Sequence, residues 1–307
     1  MNNNAKIYIA GHKGMVGSAV YRKLESLGFN NIVVKSSKEL DLTNQEMSKE
    51  FFASEQPEYV FMCAAKVGGI HANNTLRAEF IYNNLAIQNN VIHFSHVYGV
   101  KKLLLLGSSC IYPKLATKPI KEESLLSGYL EETNEPYAIA KIAGIKMCQA
   151  YHSQYGSNFI SVMPTNLYGP NDNYDLETSH VLAALIRKFS DAVKNSDHSV
   201  KLWGTGAPRR EFLHCDDLAE AIVFLMDTYD SPEIINIGCG KEISIFDLAQ
   251  LISKLTGFQG EIVWDSTKPD GTLSKVMDVS RIEALGWSPK IDLEDGIQQE
   301  IRNFSKS

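Results

Sequence analysis

Cysteine is scarce, and none of it lies in a pattern that binds a metal or builds a disulfide framework. The 307 residues contain five cysteines, an odd number, widely spaced and without a C-x-x-C pair. That usage is typical of reduced thiols in a cytosolic protein. It argues against a disulfide-stapled secreted domain and against a zinc site.

Long apolar runs and an excess of positive charge are also missing. No segment has the ~18 continuous apolar residues of a membrane span. The first residues, MNNNAK, lack the apolar run of a signal peptide. Lys and Arg number 30 against 36 Asp and Glu, and the net charge of −6 argues against a nucleic-acid or membrane-surface role. We therefore expect a cytoplasmic protein with no nucleic-acid partner and no membrane partner.

What the sequence does contain is a regular alternation of strand and helix patterns up to about residue 163. Apolar strands are predicted near 6–10, 31–34, 58–63, 101–107 and 158–163, and helical periodicity fills 15–28, 44–55, 72–97 and 137–155. This alternation predicts an α/β fold with a doubly wound parallel sheet of the Rossmann type. The expected domains are a dinucleotide-binding domain at 1–170 with about 213–240, and a smaller C-terminal α/β substrate domain at 171–212 with 241–307.

The first predicted strand runs into a glycine-rich turn. Residues 6–17, KIYIAGHKGMVG, place Gly11, Gly14 and Gly17 between an apolar strand and a helical pattern. Glycines let a backbone approach a pyrophosphate, and a helix N-terminus favours its negative charge. The spacing is G-x-x-G-x-x-G rather than G-x-G-x-x-G, but its strand–turn–helix setting predicts a dinucleotide site. An ordinary tight turn is the alternative.

A Tyr-x-x-x-Lys pair suggests the chemistry. Tyr137 and Lys141 share one face of a predicted helix, one turn apart. A lysine ammonium there favours the phenolate, so the tyrosine would exchange a proton near neutral pH. Ser108, at the end of an apolar strand, adds a hydroxyl for the same substrate oxygen. The set suits reduction of a ketone, whereas an amphipathic helix edge is the alternative for the pair alone.

The end of the second predicted strand decides the cofactor. An NAD-binding unit usually places a carboxylate roughly 20 residues past the glycines, to hold the ribose 2′-OH. Here Lys35, Ser36 and Ser37 fill that place, and the first carboxylate is Glu39. Together with His12, these groups predict a 2′-phosphate site and hence NADP(H). A solvated lysine is the alternative for Lys35 by itself.

Six motifs then occur in one order along the chain. They are GHKGMVGSA, AAKVGGI at 64–70, GSSCIYP at 107–113, EPYAIAKIAGIKMC at 135–148, PTNLYGP at 164–170 and PRREFLH at 208–214. From about Lys6 to Trp287 the sequence resembles the GDP-L-fucose synthases. These are the GDP-4-keto-6-deoxy-mannose 3,5-epimerase/4-reductases of the extended short-chain dehydrogenase/reductase superfamily. The first and fourth motifs mark the superfamily, and the other four are more specific.

The resemblance implies an NADPH-dependent enzyme that epimerises C3 and C5 and reduces C4, giving GDP-L-fucose. It places Asp41 at the adenine, and the glycines of AAKVGGI suit a backbone close to cofactor or sugar, with a plain loop as the alternative. The expected NADP(H)-binding residues are Gly11, His12, Gly14, Met15, Val16, Gly17, Lys35, Ser36, Asp41, Ala64, Ala65, Leu106, Lys141, Pro164, Asn166, Leu167 and His180.

A cluster at 203–210 predicts the GDP-sugar site. Trp203 and Arg210 flank a glycine-rich turn. Arginine forks match phosphate geometry, and a tryptophan can stack on a base or sugar. Singly, a tryptophan is usually core and an arginine usually solvated. The expected substrate-binding residues are Asn166, Lys188, Trp203, Arg210 and Asp270, with Asn166 donating to the diphosphate.

By resemblance, Cys110 is the base and His180 the acid of epimerisation, because a C4 ketone acidifies the protons at C3 and C5. Cys110 lies two residues past Ser108, so in an extended chain it faces the same side. A thiol near a lysine and a positive nicotinamide would have a lowered pKa. The alternatives are a packed cysteine and a histidine that caps its helix or lies on the surface.

Departures from the family pattern bear on the exact sugar. They are Ser127-Gly128-Tyr129, Ala183 and Cys215. A C4-reductase of a related GDP-4-keto-6-deoxy sugar such as a heptose, with or without epimerisation, is the alternative substrate reading. A non-catalytic NADP-binding sensor of the same fold is the alternative class.

The helices predicted at 72–97 and around Tyr137 bear on the oligomeric state. The resemblance implies that they form the four-helix bundle of a homodimer. Burial inside one subunit explains their apolar stripes equally well.

Overall fold

The computed structural model describes residues 1–176, 178–268, 270 and 273–305. Its main sheet has six parallel strands, in the spatial order β10-β5-β4-β3-β1-β2. In chain order these strands are β1 (Ile7–Ala10), β2 (Ile32–Val33), β3 (Tyr59–Met62), β4 (Lys102–Leu106), β5 (Phe159–Pro164) and β10 (Ile235–Ile237). The five strands expected from the sequence and the doubly wound parallel sheet are confirmed.

Helices cover both faces of this sheet, as all-parallel sheets require. The strand residues alternate between the faces, so that Ile7 and Ile9 pack on one side and Tyr8 and Ala10 on the other. One face carries α1 (Met15–Ser26) and α7 (Cys215–Thr228); the other carries α2 (Gln45–Glu55), α4 (Arg77–Val97) and α5 (Glu135–Tyr155).

The chain after β5 builds a third apolar cluster beside the main sheet. It is formed around α6 (Val181–Asn195), α8 (Ile245–Thr256) and α10 (Leu293–Phe304). Short strand pairs complete it: β6 (Asn166–Tyr168) with β9 (Phe212–His214), β7 (Ser199–Trp203) with β12 (Glu261–Asp265), and β8 (Arg209–Arg210) with β11 (Ile243–Ser244). The sequence pattern does not predict most of these pairs, because their strands are only two to five residues long.

Two short helices remain, α3 (Ile70–Thr75) and α9 (Ser280–Ala284). The single helix expected at 72–97 is divided, because Leu76 has the non-helical angles φ −105° and ψ 39° and separates α3 from α4. All five cysteines are free thiols. Among the described residues, no helix combines the length and apolarity needed to cross a bilayer.

The strand order places a crevice at one edge of the sheet. β1 lies between β2 and β3, so successive connections leave it in opposite directions. In open α/β sheets, ligands bind outside the carboxyl ends of the strands at such a reversal. The turns after β1, β3 and β4 all lie at this edge.

Candidate active site

One large cleft opens at the carboxyl ends of the parallel strands. Its volume is about 1710 Å³. Pockets for one small molecule are typically about 300–1,000 Å³. The cleft therefore has room for a dinucleotide and a second ligand together. Its wall contains all the residues predicted to hold the cofactor, and also Ser108, Cys110, Tyr137, Lys188 and Trp203.

The glycine turn after β1 is shaped for close backbone approach. Gly11 has a φ of +86°, and a Cβ there would lie 2.8 Å from the Ala64 nitrogen. A Cβ on Gly17 would lie 2.1 Å from the Gly11 carbonyl oxygen. The first turn of α1 lines the cleft and contains no acidic residue and no side-chain cap bond, so its first amide groups have no side-chain partner there. This cradle fits a pyrophosphate.

The end of β2 carries the groups expected at a 2′-phosphate. Lys35 and His12 both line the cleft, and His12 Nδ1 is buried without a hydrogen-bond partner. Ser36 departs from the expectation: its backbone N–H donates to the Glu39 carboxylate at 2.8 Å, and its hydroxyl donates there too. The hydroxyl is therefore used inside the loop. The two Ser36 hydrogen bonds lower the pKa of Glu39, and Lys35 and Lys13 lower it further, so the edge keeps two cations near one carboxylate.

Other predicted cofactor residues line the cleft, and most of them are apolar or make few side-chain hydrogen bonds. Asp41 accepts hydrogen bonds from the Thr43 backbone and hydroxyl at 2.9 and 2.7 Å, which fixes the loop that would face the adenine. The remaining wall residues of this half come from the start of α1, the end of β3 and the region around the end of β5: Met15, Val16, Ala64, Ala65, Pro164 and Leu167.

Tyr137 and Lys141 meet as their helical spacing predicts. Lys141 Nζ lies 5.8 Å from the centre of the Tyr137 ring, and the Ser108 hydroxyl hydrogen-bonds to the phenol. The predicted effect on the phenol is wrong for this geometry. The pKa of Tyr137 is raised, chiefly by burial, and Lys141 Nζ donates to the Leu106 carbonyl at 2.7 Å. Burial also lowers the pKa of Lys141 to about 8. Tyr137 is thus a protonated donor at neutral pH.

Cys110 reaches the cleft by a different route from the one expected. Residues Ser109–Ile111 form a 3₁₀ turn, and Ser108 Oγ accepts the Cys110 N–H at 3.2 Å. The extended chain assumed from the sequence is wrong, yet Cys110 still lines the cleft and lies close enough to Tyr137 to affect its pKa. The lysine beside the thiol is Lys275, whose Nζ lies 3.7 Å from Cys110 Sγ.

His180 lies at the position before α6 and makes no side-chain cap bond there. His180 lines the cleft while remaining exposed to solvent, and desolvation by the cleft walls lowers its pKa. The capping alternative therefore fails. A neutral ring near pH 7 accepts a proton more readily than it donates one, so an acid role requires that the ring first gain a proton during the reaction.

The predicted substrate residues divide into two groups. Lys188 and Trp203 line the cleft; Lys188 Nζ donates to the Lys201 carbonyl at 3.1 Å, and Trp203 is 68% exposed with Lys268 Nζ over its ring. Arg210 and Asp270 do not line it. Arg210 Nη1 donates to the Arg209 carbonyl at 2.7 Å.

Asp270 and Asn166 have roles inside the fold. Asp270 accepts from the Thr205 N–H and hydroxyl at 2.9 and 2.6 Å, which orders the turn after Trp203. Asn166 Nδ2 donates to the Glu211 carbonyl at 2.8 Å, so the amide expected at a diphosphate connects β6 to the neighbouring strand.

Sequence reasoning missed three groups on the cleft wall. Lys275 stands 165 positions from its partner Cys110, so no local pattern connects them. Asn134 Oδ1 and Ser179 Oγ are buried without hydrogen-bond partners. Both residues line the cleft, and buried polar atoms left unpaired by the protein suit a polar ligand such as a sugar.

One group among the described residues has metal-ligand spacing: His214, Cys215 and Asp216, with ligand atoms within 4.8 Å of one another. Arg22 pairs with Asp216 at 2.6 Å, and the Asp216 N–H donates to His214 Nδ1 at 3.2 Å. Burial raises the pKa of the Cys215 thiol. Since Asp216 and His214 Nδ1 are used within the fold, we assign no metal to this group.

The departures from the family pattern are not themselves cleft-lining residues. Ala183 is buried in α6 and Cys215 is buried against Gly169, and neither is on the cleft wall. Residues 127–129 do not line the cleft either, and Tyr129 is 96% exposed. Ala183 nevertheless lies between Leu182 and Ala184, which both line the cleft, and the expectation that residues 127–129 and 183 lie near sugar-facing loops stays a prediction.

The cleft wall contains the hydroxyl groups of Ser108 and Tyr137, together with the Cys110 thiol and the His180 imidazole. Ser108 and Tyr137 would hold and protonate a carbonyl oxygen. Cys110 and His180 would exchange protons at carbons beside that carbonyl. The glycine cradle would bring a dinucleotide to the same space.

Comparisons with known proteins agree with this site. Residues 7–238 match the NAD dependent epimerase/dehydratase family. The chain is 59% identical over 306 residues to GDP-L-fucose synthase 1 of Arabidopsis thaliana, covering 100% of this chain and 95% of that protein. A solved GDP-L-fucose synthetase from Naegleria fowleri, bound to NADP, shares 30% identity with a TM-score of 0.92, and the match covers 100% of this chain and 95% of that one.

A second solved structure broadens the comparison. A GDP-mannoheptose C4 reductase from Campylobacter jejuni, with NADP bound, is 44% identical with a TM-score of 0.91, over 100% of both chains. On the family match and the full-length identity, this chain belongs to the NAD dependent epimerase/dehydratase family, in the branch that contains the curated GDP-L-fucose synthases.

Proposed function

We propose that this chain is an NADPH-dependent enzyme that epimerises C3 and C5 and reduces C4 of GDP-4-keto-6-deoxy-mannose, giving GDP-L-fucose. The observation that carries the proposal is one cleft wall that unites Ser108, Tyr137 and Lys141 with Cys110 and His180. A simple ketone reductase needs only the first three. The identity of 59% to a curated GDP-L-fucose synthase supports the same reading.

NADP(H) fits the residues present. The cradle around Gly11 and Gly17 admits no side chain, the unpartnered His12 Nδ1 is buried at its edge, and Lys35 adds charge for a 2′-phosphate. The cofactor would supply hydride to C4. Each residue role below is part of the proposal.

Epimerisation comes first. The C4 carbonyl oxygen accepts hydrogen bonds from Ser108 and Tyr137, which stabilises the enolate formed when a neighbouring C–H is broken. The Cys110 thiolate takes the ring proton, and His180 delivers a proton to the opposite face after gaining one. The cycle repeats at the second carbon.

Reduction then needs one proton at the C4 oxygen. Tyr137 is protonated because burial raises its pKa, and it gives its proton to the alkoxide as hydride arrives. Lys141, held by the Leu106 carbonyl, places its ammonium beside the phenol and stabilises the phenolate that remains.

A C4-reductase of a GDP-heptose is the second candidate, and the solved GDP-mannoheptose C4 reductase at 44% identity is what favours it. The departures at 127–129, 183 and 215 are not themselves cleft-lining residues, so we build no argument for it on them. A non-catalytic NADP-binding sensor would have no need of the hydrogen-bonded Ser108 and Tyr137 pair.

The deciding experiment offers the purified protein NADPH with GDP-4-keto-6-deoxy-mannose or with its heptose counterpart. Products are identified by NMR. We expect GDP-L-fucose from the first substrate. Turnover of the heptose alone supports the second candidate, an unepimerised product rejects the epimerase step, and no consumption of NADPH with either supports the sensor.

The proposal extends to assembly and location. We propose a homodimer formed through α4 and α5, which pack together and leave Tyr82, Ile139 and Tyr155 exposed, at 67%, 41% and 54%. We also propose a cytoplasmic location, which five free thiols support. Light scattering after gel filtration would test the dimer, and a single-chain mass would reject it.

The domain division stays a prediction. We propose residues 1–170 with about 213–240 as the cofactor domain and the remainder as the sugar-nucleotide domain. The parallel pairing of β10 with β5 supports the return of the chain to the first unit.

A further inference from the structure

Cys110 has a charged neighbour that its own sequence motif does not contain. Lys275 Nζ lies 3.7 Å from Cys110 Sγ, within hydrogen-bond range for sulfur. Both residues line the cleft, and the Lys275 side chain is half-buried rather than solvated. A lysine ammonium at this distance stabilises the thiolate form of a cysteine.

The backbone around Lys275 is fixed from several directions. The Arg209 N–H donates to the Leu273 carbonyl at 2.7 Å, and Ser274 Oγ donates to the Glu242 carboxylate at 2.7 Å. On the other side, the Ile120 N–H donates to the Val276 carbonyl at 2.9 Å. The lysine is thus presented by an anchored segment and not by a free loop.

A buried carboxylate adds the strongest anchor. Glu211 is 0% exposed and accepts from the Met277 N–H at 3.0 Å. The same carboxylate accepts from the N–H groups of Cys239 and Gly240 at 2.7 and 2.8 Å. Glu211 therefore joins the segment that carries Lys275 to the turn after β10. Hydrogen bonds to a charged acceptor are stronger than neutral ones, so this placement is held firmly.

Several titratable and charged groups surround Cys110 in the described part of the chain. Lys114, Lys118 and Glu131 line a small second pocket together with Cys110 and Lys275, and Lys114 pairs with Glu131 at 3.0 Å. Tyr137 on α5 and Arg210 on β8 lie close enough to interact electrostatically with the thiol, and Lys275 contacts it directly. The lysine beside Tyr137 is bonded elsewhere, since Lys141 Nζ donates to the Leu106 carbonyl. The two lysines therefore serve different partners.

We propose that Lys275 is the positioning residue that holds Cys110 as a thiolate, so that the sulfur can take the ring proton at C3 and C5. This inference rests on the proposed function for its chemical purpose. The thiolate takes the proton, the C–H electron pair moves into the enolate, and the resulting thiol returns its proton to solvent or to His180. No oxidant or reductant is consumed in this step.

The test measures the thiol directly, without substrate. Wild type, Lys275→Met, Lys275→Arg and the control Lys121→Met are treated with iodoacetamide from pH 6 to 10. Alkylation of Cys110 is followed by peptide mass spectrometry, with Cys239 as an internal reference. Lys121 is exposed and does not contact the thiol. Lys121→Met therefore removes one positive charge, as Lys275→Met does, at a position away from Cys110. Lys275→Gln replaces Lys275→Met if the latter does not fold.

We expect the alkylation midpoint of Cys110 to rise by about one pH unit in Lys275→Met, and its rate near pH 7 to fall about tenfold. Lys275→Arg and Lys121→Met should keep the wild-type midpoint. An unchanged midpoint in folded Lys275→Met overturns the proposal.

A second measurement follows the pH dependence of deuterium uptake at C3 and C5 in D₂O. The same upward shift supports the proposal. A raised KM with neither pH profile moved makes Lys275 a substrate-binding residue and overturns it. Failure of the proposed function itself is distinct, because wild type would then lack exchange altogether while the alkylation data stand on their own.

Discussion

The two sides of the cleft are built in different ways. On the cofactor side, the decisive residues come from two local motifs, the glycine turn at 11–17 and the Tyr137–Lys141 pair on α5. On the sugar side, Cys110, His180 and Lys275 come from three segments far apart in the chain. The first side is set by spacing along one strand–turn–helix or one helix. The second depends on how separate layers pack, and the two sides should therefore fail separately when residues are changed.

The largest effect is expected on the reductive step. Tyr137→Phe removes the proton that neutralises the alkoxide at C4, and loss of a general acid typically costs ~10²–10⁴-fold in rate. NADPH oxidation measures the loss, and NADPH binding followed by fluorescence should stay near wild type. Tyr59→Phe, at the start of β3 and so at the end of the strand opposite the cleft, is the control. A Tyr137→Phe enzyme that keeps most of its kcat would place the proton donor elsewhere.

The second change affects only the sugar side. Cys110→Ser should stop deuterium uptake at C3 and C5, since a serine hydroxyl is a far weaker base near neutral pH; we expect a loss of about 10²-fold or more. Slow direct reduction of the unepimerised ketone should survive, because Ser108, Tyr137 and Lys141 are untouched. NMR in D₂O with NADP⁺ reads the exchange at each carbon.

Cys239→Ser controls for loss of a thiol in general, as Cys239 is used in bonds to the Phe212 and Lys241 carbonyls. His180→Asn should differ from Cys110→Ser, with exchange retained at one carbon and delivery to the correct face lost. Equal loss of exchange and reduction in Cys110→Ser would mean that the two sides are not separable.

Local patterns explain how much of this could be predicted from sequence. Strand positions, the glycine cradle and the meeting of Tyr137 with Lys141 follow from periods of 2 and 3.6 residues and from short spacing. The burial and neighbours of each side chain, which set its pKa, do not follow from these local patterns. Tyr137 was expected to have a lowered pKa, but its burial in the folded protein raises it.

The sugar side shows the limit more clearly. Arg210 and Asp270 were expected to bind substrate, but neither lines the cleft. Asn166 lines the cleft, while its Nδ2 group and the Asp270 carboxylate also form bonds within the fold, and their substrate roles stay predictions. The contact of Lys275 with Cys110 spans 165 positions, which no motif records.

A third prediction sharpens the cofactor side. Lys35→Asp should narrow the preference for NADPH over NADH by about tenfold to a hundredfold. This is the effect expected when one phosphate contact, contributing ~1.5–3 kcal/mol of binding free energy, is lost. The ratio of kcat/KM for the two cofactors measures it. Lys49→Asp, a change of the same charge on the exposed surface of α2, should leave the ratio alone. Equal kcat/KM for both cofactors in wild type would contradict the assignment.

The smallest effect concerns pH and Lys141. With its pKa lowered by burial to about 8, the ammonium is charged at neutral pH and loses its charge as the pH rises above 8. The phenolate that forms during reduction then loses its cationic neighbour, and single-turnover reduction should fall about tenfold between pH 7 and pH 9. Lys141→Arg keeps its charge over this range, since a guanidinium stays protonated. The pH profile of Lys141→Arg should therefore be flat between pH 7 and pH 9. Its rate should be lower than that of wild type, because the guanidinium does not fit the Leu106 carbonyl as the ammonium does. A flat wild-type profile to pH 9 would show that the charge on Lys141 is not used in the reductive step.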